Sequence, residues 1–275
     1  MEIPRIPLGD WIESGLTWLT SEYSLVTRGI SRFTQTGIDF LNDSLMWLPE
    51  WALLGLIALL CWKLAGVRLA IGAVAGLALI WNLDLWNPMI ETLTLVVFAT
   101  MVAVVIALPV GIAAALSNRL YRVIMPILDF MQTMPAFVYL IPAIPFFGIG
   151  SVSAIFATVI FSMPPAIRFT TLGIRQVPVE LIEAADAYGA TRGQKLFKVQ
   201  LPLSLPTVMA GINQTIMLAL SMVVIAAMIG ADGLGSEVWR AIQRLRPGDG
   251  FEAGIAVVIL AMLLDRLTQS LRKTR

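Results

Sequence analysis

From Thr92 to Leu116 the chain carries no charged side chain and a single proline. That run exceeds the roughly 20 apolar residues a helix needs to cross the hydrocarbon core of a bilayer. A helix in lipid satisfies its backbone N–H and C=O groups internally, so the run reads as a membrane-spanning helix. The rest of the chain repeats the signal. It is 58% hydrophobic and 13% charged, with a mean hydropathy of +0.83. A soluble surface cannot cover that surplus, and an all-α integral membrane protein is expected.

Seven spans are expected, at about 48–63, 68–83, 92–116, within 123–148, 152–171, 207–229 and 253–268. The first two are short and punctuated by Lys63 and Arg68. They fit a re-entrant pair or two spans with snorkelling ends, and the second reading is taken. Pro126, Pro135, Pro142 and Pro145 break the fourth, and Pro164-Pro165 is expected to kink or interrupt the fifth. Residues 1–48 are amphipathic, with Leu8, Trp11, Ile12, Leu16 and Leu19 at helical spacing among charged residues. Such a segment lies in the membrane interface or packs on a partner chain. The first residues lack a basic region followed by an apolar core, so no cleavable signal peptide is expected.

Composition also removes function classes. Histidine is absent, which takes away the usual general base and the commonest metal ligand. Cys61 is the single cysteine, in an apolar run, and reads as a small buried hydrophobe. The net charge of +1 suggests no nucleic-acid partner. No G-x-x-x-x-G-K-[ST] stretch occurs, so the chain has no phosphate-cradling loop of its own. Catalytic residues, metal ligands and cofactor contacts are therefore not assigned. Asp129, Asp186, Asp232 and Asp265 read as isolated carboxylates solvated in loops or at the interface.

Two stretches stand out from the apolar background. Glu183-Ala184-Ala185-Asp186-Ala187-Tyr188-Gly189 opens a polar island that runs on to Val199-Gln200-Leu201-Pro202. Pro178 upstream and Glu180 and Glu183 favour a helix start there. Gly189 permits a turn, and Pro202 is expected to stop whatever helix follows. The second stretch is Gln132 to Pro142, where Pro135 and Pro142 free backbone carbonyls at membrane depth. Freed carbonyls must be buried in protein or line a cavity, which makes Met134, Pro135, Phe137 and Tyr139 candidates for a translocation path. Phe137 and Tyr139 offer π-faces to a cation, although core packing is the ordinary role of any one aromatic. Beyond the sixth span, Gly230 to Gly235 is a glycine-rich turn. Ser236 to Arg246 then reads as a helix with basic residues, either a docking face or a solvated interfacial helix.

The Glu-Ala-Ala pattern, with Gly189 and Leu201-Pro202 in register, resembles the EAA loop of ABC-importer permeases. An ordinary loop helix is the bland alternative, and the spacing favours the coupling helix. The stretches 198–203, 206–215 and 219–230, with Gln132-Thr133-Met134-Pro135 upstream and Leu264 to Gln269 downstream, resemble the permeases of glycine betaine/proline betaine importers. The likeness spans about residues 88–270. Asp232 departs from it, standing where the family usually carries a small residue.

The resemblance implies a type I ABC-importer permease core of about seven transmembrane helices behind an amphipathic N-terminal segment. It implies a coupling loop built on Glu183, Ala184, Ala185, Gly189, Leu201 and Pro202, and it adds Asn213 and Gln214 to the candidate path. The implied partners are an ABC ATPase subunit that holds the ATP, a substrate-binding protein, a second permease copy and membrane lipid. The implied cargo is a quaternary ammonium compound, glycine betaine, proline betaine or choline, taken up for osmoprotection or nutrition across the bacterial inner membrane. The competing class is an ion-coupled secondary transporter or channel acting without an ATPase. With loop 173–206 inside, Lys63, Arg68, Arg119, Arg122, Arg175, Arg192, Lys195, Lys198, Arg272, Lys273 and Arg275 all fall in the cytoplasm, and the outside keeps Arg240, Arg244, Arg246 and the sparse basic residues of the N-terminal tail. That bias follows the positive-inside rule, with the N-terminus out and the C-terminus in. The expected division is 1–48 as an extracytoplasmic or interfacial segment, 49–270 as the permease domain and 271–275 as a cytoplasmic tail.

Overall fold

The structure, a computed structural model, describes residues 7–273. Arg275, and the side chains of Leu8, Arg272 and Lys273, lie outside the described residues. Of the expected tail 271–275, the backbone to Lys273 closes the last helix. Among the described residues every regular element is helical.

The first helices are α1 (Leu8–Glu22) and α2 (Ser24–Met46), separated by Tyr23 alone. Pro49 turns the chain, and α3 (Glu50–Ala65) leaves α2 at 98°. Gly66, at φ +92, reverses direction into α4 (Val67–Asn82), so α3 and α4 form an antiparallel hairpin. Each has 16 residues, a rise of about 24 Å at 1.5 Å per residue. That is short of the roughly 30 Å hydrocarbon core.

Three long helices follow and form the centre: α5 (Trp86–Leu116), α8 (Ser151–Arg175) and α11 (Leu201–Ala227). Each of the three, α11 with the short segments that precede it, is long and apolar enough to cross a membrane. Small residues set their separation. A Cβ on Gly111 of α5 would lie 2.7 Å from Thr170 Cβ and 2.9 Å from Ile167 O of α8. A Cβ on Gly211 of α11 would lie 2.7 Å from Phe169 Cβ. In lipid, where apolar side chains gain little by meeting one another, such close backbone approach supplies the packing energy.

The expected fourth span is not one helix. The chain forms α6 (Asn118–Thr133), a 3-10 turn (Ala136–Tyr139) and α7 (Leu140–Phe147), with a bend of 111°. Met134 takes an extended ψ of 134° because the Pro135 ring disfavours the helical region for the residue before it. Conversely, α8 runs unbroken through Pro164-Pro165, so the expected interruption is absent. Both prolines are buried between α5 and α11, where neighbouring helices shield the freed backbone groups.

The N-terminal segment takes a seat that the sequence did not indicate. α2 packs on α5, α7 and α8 of its own chain, burying Thr34 and setting Ile38 and Leu41 against the central cluster. Gly37 admits the Phe98 ring into space a side chain would occupy. Phe33 and Phe40 point away from the protein. The chain ends with α9 (Val179–Ala187), α10 (Arg192–Lys195), α12 (Leu234–Gln243) and α13 (Pro247–Lys273). α13 closes against α12, α11 and α3.

Candidate functional site

The segment between α8 and α11 is a pair of short helices on a rigid hinge. Pro178 (φ −51, ψ 134) sets the start of α9, with Glu180 in its first turn. The helix stops at a left-handed Gly189, φ +72. Gly189 N–H donates to Asp186 O at 2.9 Å and Ala190 N–H donates to Ala185 O at 3.0 Å. These two bonds satisfy helix-terminal carbonyls in the Schellman arrangement, which needs a residue free to adopt positive φ. Thr191 and Gln194 then form a reciprocal capping box that starts α10. Lys195 Nζ reaches back to Asp186 Oδ1 at 2.5 Å, tying the second helix to the first.

α9 buries no residue. Glu183 and Ala184 are exposed and Ala185 is half-buried. Around them Val179, Leu181, Tyr188 and Phe197 are also exposed, Tyr188 at 92% and Phe197 at 68%. The loop that looked polar in sequence therefore carries an uncovered apolar set beside its Glu-Ala-Ala turn. Leu196 is buried and anchors the base of the hairpin.

Leu201 and Pro202 do not end a helix, contrary to expectation. The helix runs continuously from Arg192 to Ala227. Residues Leu196–Gln200 form a π turn, and Pro202 follows it in the first turn of α11. The widened turn absorbs the proline, whose missing N–H would otherwise leave a gap in the hydrogen-bond ladder. Movement of α9 is thus joined to a single long helix through Lys195.

The candidate path residues fall into two groups. Met134 and Pro135 sit at the α6–α7 bend. Tyr139 is buried, donates its hydroxyl to Met131 O and meets Phe161 edge-on at 5.7 Å, which is core packing; Phe137 is half-exposed. Asn213 and Gln214 instead line a cavity of about 410 Å³ with Phe169, Thr268 and Gln269. Phe161 and Phe169 are about two turns apart on α8, so the two groups are separated by roughly 12 Å along that helix.

Three of the four carboxylates read as isolated have partners. Asp129 pairs with Arg168 of α8 at 2.6 Å, Asp186 with Lys195, and Asp265 accepts from Asn213 Nδ2 and Gln269 Nε2 at 2.8 Å. The helix spacing of Asp265 and Gln269, four residues apart in an apolar span, was the available signal for the last of these. Arg175 ties the α5–α6 corner, donating to Asn118 Oδ1 at 2.8 Å and Ala114 O at 3.2 Å. Its guanidinium also lies 4.1 Å from the Tyr121 ring centroid. At the opposite end, Thr92 Oγ1 accepts from Leu234 N–H at 2.8 Å, fixing the glycine-rich turn to α5. The helix expected over 236–246 is α12, with Arg240 paired to Glu237 at 2.7 Å.

Residues 107–273 match the model of the family described as binding-protein-dependent transport system inner membrane component. The chain is 49% identical over 270 residues to the glycine betaine transport system permease protein OpuAB of Bacillus subtilis (strain 168). That alignment covers 98% of this chain and 96% of the relative. It is 51% identical over 282 residues to the glycine betaine/carnitine transport permease protein GbuB of Listeria monocytogenes serotype 1/2a (strain 10403S), covering 98% and 97%. It is 45% identical over 265 residues to the glycine betaine/proline betaine transport system permease protein ProW of Escherichia coli (strain K12), covering 96% and 75%. Among solved structures, an inward-facing MetNI methionine ABC transporter superposes with a TM-score of 0.62 at 25% identity, over 67% of this chain and 92% of that one.

Proposed function

The chain belongs to the binding-protein-dependent transport system inner membrane component family, and from that premise we propose that it forms the pathway by which an ATP-driven importer takes up glycine betaine or a related quaternary amine. It is the permease component of an ABC importer and has the type I permease fold. ATP hydrolysis is assigned to a separate ATPase subunit and substrate capture to a binding protein. Two permease copies enclose the path, with lipid around them in the inner membrane. Glu183 to Gly189 lies on the cytoplasmic side, which puts the end of α13 on the same side and the N-terminus opposite. In this division residues 1–48 precede the permease domain 49–270.

The observation that carries the coupling role is the exposure of α9. A nine-residue helix with no buried side chain gains little from its own protein. It is nonetheless held in one pose by the Gly189 turn, the Thr191 cap and the Lys195–Asp186 pair. A preorganised apolar surface beside Glu183 suits a cleft on a partner. Closure of the ATPase dimer on ATP carries α9 with it. α8 and α11, which flank the loop and pack along each other, then move as a unit. Because both ends bias one equilibrium, loaded binding protein must raise ATP hydrolysis.

The lone cysteine makes a direct test simple. Ala184→Cys in a Cys61→Ala background is expected to cross-link to the ATPase subunit in native membranes, with a yield that changes on adding ATP. Cross-linking to no ATPase would remove α9 from the interface.

A further inference from the structure

We infer that the cavity between α8, α11 and α13 is a cation-selective resting site for the quaternary ammonium group on its way through the permease, with Asp265 supplying the charge. The inference rests on the function proposed above.

Asp265 sits in α13, with Leu263, Leu264 and Leu267 of the same helix in or against the apolar core cluster. Among the described ion pairs none neutralises it. Its carboxylate is held by two amides, Asn213 Nδ2 and Gln269 Nε2, each at 2.8 Å. Both amide residues line the cavity, so the charge stands directly behind its wall. A carboxylate among spanning helices is costly unless it has a role, and among the described residues no protein cation pairs with it. The cost is offset when the cation is the cargo.

The remaining lining fits the same group. A quaternary ammonium has no N–H to donate. It is recognised by π-faces, by negative charge and by oxygen acceptors for its polarised methyl C–H groups. Phe169 supplies a ring. Gln214 and Thr268 add polar groups for the other end of the molecule. A volume of about 410 Å³ lies in the range of small-molecule sites.

The test uses the permease–ATPase complex in nanodiscs without binding protein. The probes are radiolabelled choline and glycine betaine, and the tert-butyl isostere of choline in which carbon replaces the charged nitrogen. Saturable binding of both amines is expected, with the neutral isostere at least about tenfold weaker. Asp265→Asn should erase that discrimination while Asp265→Glu restores most of it. Phe169→Leu should weaken choline several-fold, and it keeps the test open if Asp265→Asn fails to assemble. Wild-type complex that binds none of the probes, or an assembled Asp265→Asn complex that still prefers choline to its isostere, overturns the site. The importer reading is checked separately, by whether loaded binding protein stimulates ATP hydrolysis in the wild-type complex.

Discussion

Lys195 Nζ lies 2.5 Å from Asp186 Oδ1, across the Gly189 turn, and so bolts the exposed helix α9 to the root of the helix that becomes α11. Asp186 is half-exposed, at 53% of its side chain. As a stabilising contact the pair is therefore worth only about 0.2–1 kcal/mol. Under the coupling role proposed above its value is mechanical, because it would remove a hinge between the surface offered to the ATPase and the helix that carries the motion.

Asp186→Asn is expected to leave membrane levels of the permease unchanged and to lower the amount of substrate imported per ATP hydrolysed. Paired uptake and phosphate-release assays on reconstituted complex read this ratio. A double-mutant cycle with Lys195→Met should give a coupling free energy in that same range of about 0.2–1 kcal/mol, declining with salt.

Gly189→Val tests the turn itself. Nothing lies within 4 Å of a Cβ at this position, so the Cβ itself meets open space. The cost is backbone strain at φ +72, of order 1–2 kcal/mol for an ordinary L-residue and more for a β-branched one. Uptake should fall several-fold at normal membrane abundance, and Gly189→Asn should be milder because Asn tolerates this region. Normal uptake by the valine variant would count against a rigid α9.

The apolar set on the same surface makes a further prediction. Leu181→Glu and Glu183→Lys should weaken retention of the ATPase subunit on affinity purification, about tenfold or more for Leu181→Glu if it fills a pocket on the partner. Both side chains are exposed in the isolated permease, so its thermal stability in detergent should hardly change. Loss of permease stability with full ATPase retention would contradict the assignment.

Much of this was legible in the sequence, for physical reasons that also explain the misses. Uncharged runs such as Thr92 to Leu116 report helices directly, because lipid leaves the backbone no other choice. Gly189 marked a turn, and the structure holds it there at φ +72. Proline was the weak signal. Pro135 produced a sharp bend, Pro164-Pro165 produced no interruption and Pro202 sat in an unbroken helix. Neighbouring helices and a π turn decide whether a lost N–H matters, and both are tertiary facts. Arg168, the partner of Asp129, and Asn213, the farther partner of Asp265, lie 39 and 52 residues away along the chain, beyond any local pattern, whereas Gln269 lies only four residues from Asp265.

Gly235 tests the packing at the glycine-rich turn. A Cβ there would run into the backbone carbonyl of Val223 on α11. Gly235→Ala should destabilise by about 1–3 kcal/mol, the cost of overpacking against an atom that cannot rotate away. The control is Gly72→Ala, where nothing lies within 4 Å and helix propensity favours alanine. Melting temperatures of the two purified variants should fall on opposite sides of wild type.

The most direct measurement is mild solubilisation from native membranes, identification of what co-purifies with the chain, and ATP hydrolysis by that complex with and without glycine betaine-loaded binding protein. An ATPase subunit in equal amount, stimulated severalfold by the loaded binding protein, is the predicted result. A permease that purifies without any ATPase and still transports in liposomes on an ion gradient would contradict the importer assignment.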